Sequence, residues 1–149
     1  MASWAEFAAR EPALAGVVRR AFAVRKHATM ATVRASGAPR ISGTEVEFAD
    51  DGEIYLGMMK GARRVQDLRR DPRMALHSPT NDAPDGDPAG WLGEAKINAR
   101  AVEVASADSH CFRLDIEDVV HTKVAADAQA LEITTWRPGS GATVVRRAD

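Results

Sequence analysis

The chain has 149 residues, and its 20 basic side chains nearly cancel 21 acidic ones to leave a formal net charge of −1. That balance gives no overall field to draw in nucleic acid, so any basic patch must be local. The one cysteine, Cys111, cannot form an internal disulfide, and no uninterrupted apolar run is long enough to cross a bilayer; the expectation is a cytoplasmic chain without a membrane partner, folded as one domain over 1–149.

The N-terminal segment 3–26 reads as helical. Ser3 can cap a first helix with Trp4, Phe7 and Ala8 on one face, and Pro12 suits the first turn of a second that carries Leu14, Val17, Val18, Ala21 and Phe22 at helical spacing. Its alanines and arginines resemble a transit peptide, but Glu6 and Glu11 and the scarcity of serine argue against one. From His27 the period changes to two, and 27–149 is expected to form a barrel. Ala28 to Arg34 and Pro39 to Phe48 predict a hairpin about Ser36-Gly37, and Asp50-Asp51-Gly52 turns the chain into a third strand, Glu53 to Met58.

A short helix is expected from Val65 to Arg70, stopped by Asp71-Pro72, and a fourth strand from Arg73 to Ser78. Pro79 to Gly90 reads as an exposed, mobile loop, and Trp91 to Val104 as a long strand bent near Gly93. Ser106 to Phe112 predicts a helical turn, followed by strands at Leu114 to Glu117, Val119 to Val124, Leu131 to Trp136 and Thr143 to Arg147. Many short strands with tight turns, helices at one end and one helix between strands point to a mostly antiparallel β-barrel.

One stretch carries chemistry: Gly57-Met58-Met59-Lys60-Gly61-Ala62-Arg63-Arg64, between the third strand and the short helix. Two glycines allow close backbone approach, the amides opening a helix face an anion, and Lys60, Arg63 and Arg64 add charge. The spacing matches neither the Walker phosphate loop nor the dinucleotide G-x-G-x-x-G motif. Two readings stay open at this point, a phosphate cradle and a basic, solvated helix start.

The succession His27-Ala28-Thr29-Met30-Ala31-Thr32-Val33, Gly37-Ala38-Pro39-Arg40-Ile41-Ser42, Ile54-Tyr55-Leu56 and Asp67-Leu68-Arg69-Arg70-Asp71-Pro72-Arg73 resembles the flavin-binding split β-barrel proteins related to pyridoxamine 5′-phosphate oxidase, a group that includes deazaflavin (coenzyme F-420) dependent reductases. The resemblance implies a mainly β (α+β) antiparallel split barrel with an N-terminal helix and a short helix after the third strand. It also implies a homodimer that binds FMN or coenzyme F-420 at its interface and transfers hydride to or from a small organic substrate. The alternative is a non-catalytic flavin-, deazaflavin- or haem-binding or sensing protein on the same fold.

In that family an arginine of the second strand and a Gly-Ser-Arg-Lys-like segment grip the flavin phosphate; Arg40 and Gly61-Ala62-Arg63-Arg64 fall on those places. Here Ala62 lacks the hydroxyl, Arg64 replaces lysine, and Asp67 stands where asparagine is common. Gly57 and Met58 fall where the family often has tyrosine and threonine along the flavin ring and ribityl chain. Trp136 and Arg146, flanking Gly139 and Gly141, resemble the final hairpin that reaches the cofactor of the partner subunit.

The plain readings remain beside these. Met58 and Met59 are read as core filling or as soft walls for an aromatic ring, and Trp136 as a flavin contact or a half-buried interface aromatic. The four histidines and one cysteine make no zinc pattern, and no residue is assigned as catalytic or metal-binding.

Overall fold

A computed structural model describes residues 1–149. Two helices open the chain, α1 (Trp4–Arg10) and α2 (Pro12–Ala23). Ser3 Oγ accepts from the Glu6 amide and the Glu6 carboxylate accepts from the Ser3 amide, each at 3.1 Å, a reciprocal cap that satisfies two of the donors a helix start exposes. Pro12 then restarts the helix where its missing N–H costs nothing. Trp4, Phe7, Val18, Ala21 and Phe22 form the inward faces. Trp4 meets Phe7 and Phe48 edge-on, with ring centroids 5.2 and 4.7 Å apart.

The strands are β1 (His27–Val33), β2 (Pro39–Glu45), β3 (Glu47–Phe48) and β4 (Ile54–Met58), followed after helix α3 (Arg63–Arg70) by β5 (Arg73–His77), β6 (Glu94–Val104), β7 (His110–Val124), β8 (Leu131–Arg137) and β9 (Gly141–Arg147). The sheet runs β2-β1-β5-β6-β7-β4-β3, with β8 added to β7 and β9 to β8, and every pairing is antiparallel. The two ends of this path, β2 and β3, are separated in sequence by Val46 alone. One arm of chain thus pairs with β1 by its first half and with β4 by its second, which closes the barrel and leaves a split between β2 and β4. This is the antiparallel split β-barrel that the sequence leads one to expect.

Alternation supplies the interior. Met30, Ile54, Leu56, Leu76, Ile97, Leu114 and Ile116 point inward and are fully buried, and barrel and N-terminal helices share one apolar cluster. Gly52 has φ +84, and a Cβ there would come within 2.6 Å of Ala5 Cβ, so α1 rests directly on the β3–β4 turn.

Several boundaries differ from the expectations. Ser106 to Phe112 is not a helical turn, because β7 begins at His110, and the two strands expected at Leu114 to Glu117 and Val119 to Val124 are one. The cause is a bulge. Asn98 faces Asp118 but Ala99 faces Ile116, leaving Glu117 unmatched, so the inward positions change phase from 112, 114 and 116 to 119 and 121. A period-two reading breaks at that slip although the strand continues. Pro39 to Phe48 is interrupted at Val46, where the arm changes partner, and α3 starts at Arg63 rather than Val65.

The sixth strand begins at Glu94, and its irregularity lies at Asn98/Ala99 rather than at Gly93. Gly93 is needed for a different reason: a Cβ there would stand 2.4 Å from the Thr122 carbonyl oxygen at φ +85. The 79–90 loop is exposed over most of its length, as expected, and is hydrogen-bonded to the barrel through Asn81. Trp91 Nε1 donates to the Asn81 carbonyl at 2.9 Å, Asn81 Nδ2 donates to the Gly93 carbonyl at 3.0 Å, and Asp87 caps a short 3₁₀ turn at Pro88–Gly90. No helix is long and apolar enough to cross a membrane.

Candidate functional site

The start of α3 is built to leave donors free. Gly61 turns the chain at φ +83, Ala62 enters in extended conformation, and no side chain caps the helix. The amide of Val65 returns to the Ala62 carbonyl at 3.1 Å, while those of Arg63 and Arg64 belong to the opening turn, whose N–H groups have no acceptor inside a helix. Arg64 Nε is buried with no hydrogen-bond partner in the chain. An unpaired buried donor of this kind costs about 1–3 kcal/mol, and an anionic acceptor relieves it.

One turn further along α3, Asp67 is held from three sides. Its side chain is 4% exposed. Oδ2 accepts from Thr32 Oγ1 and Arg40 Nε, both at 2.7 Å, and Oδ1 accepts from Arg70 at 3.1 Å. Burial alone would raise this carboxyl, but the hydrogen bonds from Arg40, Thr32 and Arg70 outweigh it and bring the pKa down to about 2. Arg40 is therefore anchored through Nε to the helix, with its two outer nitrogens left to donate elsewhere.

Beside the helix start lies a cleft of about 910 Å³, running along the split between the β2–β3 arm and β4. Gly43 and Gly57 line it, and neither has any atom within 4 Å of where a Cβ would stand. Bare backbone on β2 and on β4, one on each side of the split, leaves room for a planar ring. Tyr55, Met59, Cys111 and Arg64 wall it. The Tyr55 hydroxyl donates to Asp51 Oδ2 at 2.5 Å, and that bond pushes its pKa up to about 12. Burial, and after it the charge of Glu47, raises the Cys111 thiol. Both groups stay protonated at neutral pH, so neither is a ready nucleophile or base.

Gly57 and Arg64, among the residues singled out from sequence, are brought together in the cleft wall. Lys60, Gly61 and Arg63 are exposed along the loop and helix start next to it, and Ala62 is half-buried against the core. Met58 turns the other way: its side chain is 2% exposed inside the barrel, since even positions of β4 face inward. Met59, read as possible core, is 81% exposed on the cleft side.

Trp136 is not half-buried at a surface. It is 4% exposed, with its ring 4.9 Å from that of Phe7. Arg146 donates to Asp127 at 2.7 Å. On the β8–β9 ladder Trp136 faces Ala142 while Arg146 faces Glu132, about 13 Å further along; neither lines this chain's own cleft, and Trp136 lines a separate cavity of about 610 Å³ with Gly139 and Gly141. The sequence reading missed Gly43, Tyr55, Glu47 and Cys111. Their signal was available only through register, since Glu47 pairs with Tyr55 and Cys111 with Gly57.

The family model described as Pyridoxamine 5′-phosphate oxidase matches residues 16–137, and the chain belongs to that family. A pyridoxamine 5′-phosphate oxidase-related, FMN binding protein from Nostoc punctiforme superposes with a TM-score of 0.67 at 9% identity, covering 100% of this chain and 99% of that one. PhzG from Burkholderia lata, solved in complex with tetrahydrophenazine-1-carboxylic acid, gives 0.62 at 12% identity over 97% and 91% of the two chains. HutZ, the haem storage protein of Vibrio cholerae, gives 0.52 at 19% identity over 72% and 90%. At these identities the likeness establishes the fold. No curated protein matches the chain in sequence.

Proposed function

We propose that this protein binds a phosphate-bearing flavin, FMN or coenzyme F-420, in the split beside α3, and that it works as a homodimeric oxidoreductase on a small organic substrate. The observation that carries the reading is Arg64, whose buried Nε lacks an acceptor at the edge of a cleft lined by two bare glycines. The residues fit the group. Arg64, with the free amides of the α3 start, would hold the phosphate, Arg63 and Lys60 would add charge from the loop, and Arg40 is pre-oriented by Asp67 close by. Gly43 and Gly57 would carry the ring.

When bound, such a cofactor supplies hydride chemistry that no side chain can. The protein's part is orientation and electrostatics. Asp67 fixes the Arg40 fork, the bond to Asp51 fixes the Tyr55 ring, and the protonated Tyr55 and Cys111 add no charge to the cleft. Those two locked groups also favour a second reading, storage or sensing of a flavin, deazaflavin or haem without turnover. A second copy would meet Arg146, half exposed at the C-terminal hairpin and paired with Asp127, and Trp136 at the cavity it lines with Gly139 and Gly141.

Fluorescence titration of the apo protein with FMN and with coenzyme F-420, repeated on Arg64→Ala, tests the site. Saturable binding that weakens in the variant is expected; identical binding in both proteins would overturn the assignment. Adding a reductant and a panel of quinones and nitro compounds to the loaded protein separates enzyme from store, and sedimentation reports the dimer.

A further inference from the structure

The phosphate reading uses Arg64 and the two glycines but leaves Glu47 without a task. Its side chain is exposed at the cleft wall and makes no ion pair or hydrogen bond with the chain. Its neighbour Glu45 differs, being met by Lys26 Nζ at 3.4 Å and His27 Nε2 at 3.6 Å. The position of Glu47 along the cleft follows from register. Glu47 pairs with Tyr55, and Tyr55, Gly57 and Met59 succeed one another along the cleft side of the chain, about 7 Å apart within the strand. Arg64 lines the same cleft from the helix start, which the Ala62 amide ties to the Met59 carbonyl at 3.2 Å.

The cleft is therefore polar along its length: negative at the Tyr55 end, positive at the Arg64 end, with bare backbone between. We propose that the Glu47 end is a substrate subsite that takes a neutral or cationic ring and rejects anionic ones, phosphorylated substrates included. This inference rests on the cofactor reading for the occupant of the Arg64 end. With an anion neutralised there, the uncompensated charge left in the cleft is that of Glu47. A cation beside it gains, and an anion loses, the interaction of a partly exposed pair, about fivefold in affinity.

The test holds the Arg64 end constant. In saturating inorganic phosphate, the apo protein is titrated with three planar three-ring probes: proflavine (cationic), lumichrome (neutral) and 9-anthracenecarboxylate (anionic). Proflavine is expected to bind at least about fivefold more tightly than the anthracene carboxylate, and the ratio to fall close to one in Glu47→Gln. An undiminished ratio in the variant, equal binding of the anion to the wild type, or failure of both proflavine and lumichrome to bind would each overturn the proposal. FMN titration of the wild type is run alongside. FMN binding without charge selection sinks the subsite alone, whereas charge selection without FMN binding sinks the cofactor reading and leaves the subsite standing.

Discussion

Around Arg64 the fold leaves donors without acceptors and backbone without cover; Trp136 is packed on Phe7 and, at 4% exposure, shows little of itself to the cavity of about 610 Å³ that it lines with Gly139 and Gly141. Both regions hold residue types that bind flavins, and the family pattern nominates both. They differ in what the rest of the chain does to them. An uncapped helix start next to two glycines keeps its hydrogen-bonding capacity for a ligand. A tryptophan whose ring rests on Phe7 has spent its apolar surface on the core. Burial and unmet hydrogen bonds, more than residue type, set how much of each residue a single copy of the chain leaves for a ligand.

The comparison can be broken at either end. Trp136→Ala should show the largest effect, a loss of about 3–5 kcal/mol in urea unfolding, with cofactor affinity per folded molecule unchanged; a selective loss of affinity would place Trp136 in a site after all. Arg64→Ala should weaken FMN or phosphate binding by about tenfold to a hundredfold, the worth of a charge-assisted hydrogen bond, without lowering stability, because an unpaired buried donor is removed. Titration of apo and phosphate-loaded protein distinguishes the two quantities.

Asp67 makes the same end sensitive to acid. Its pKa of about 2 lies below the ordinary 3.8, so its contribution to stability is complete above roughly pH 4 to 5 and is lost as pH falls through 4 toward 2. On the order of 1–2 kcal/mol should disappear over that window. Denaturation of Asp67→Asn across the same range should lack this component; an equal acid loss in the variant would assign it elsewhere. Gly57→Val is expected to stabilise the strand by about 0.5–1 kcal/mol, since the added side chain meets open space, while lowering affinity for any planar ring; thermal shifts with and without FMN read both. Arg146→Ala should do least, leaving the unfolding midpoint unmoved because its pair with Asp127 is solvent-exposed.

Much of the architecture was legible because its signals are local. The Ser3 cap, the Pro12 restart, the glycine turns and the alternation of β1, β4 and β5 each lie within a few residues of one another. What could not be read depends on partners distant in sequence. The bulge at Glu117 exists only relative to β6, and the break at Val46 reflects a change of neighbour from β1 to β4. The site divides the same way. Gly57, Arg63 and Arg64 stood out as one stretch, whereas Gly43, Glu47 and Cys111 join it only through strand pairing. That Met58 faces the core and Met59 the cleft follows from the phase of β4, which Ile54 and Leu56 fix.

The arm at 39–48 also orders events in folding. Its pairings with β1 and with β4 are both made across short turns, with little chain to close. Joining Tyr55 to Arg113 and Gly57 to Cys111 closes a loop that holds β5 and β6, and contacts of that separation form late. Two walls of the cleft are thus available early, while Cys111 arrives with barrel closure. A ligand that needs all the walls favours the closed barrel over the open one, so cofactor added during refolding should slow unfolding more than it speeds folding.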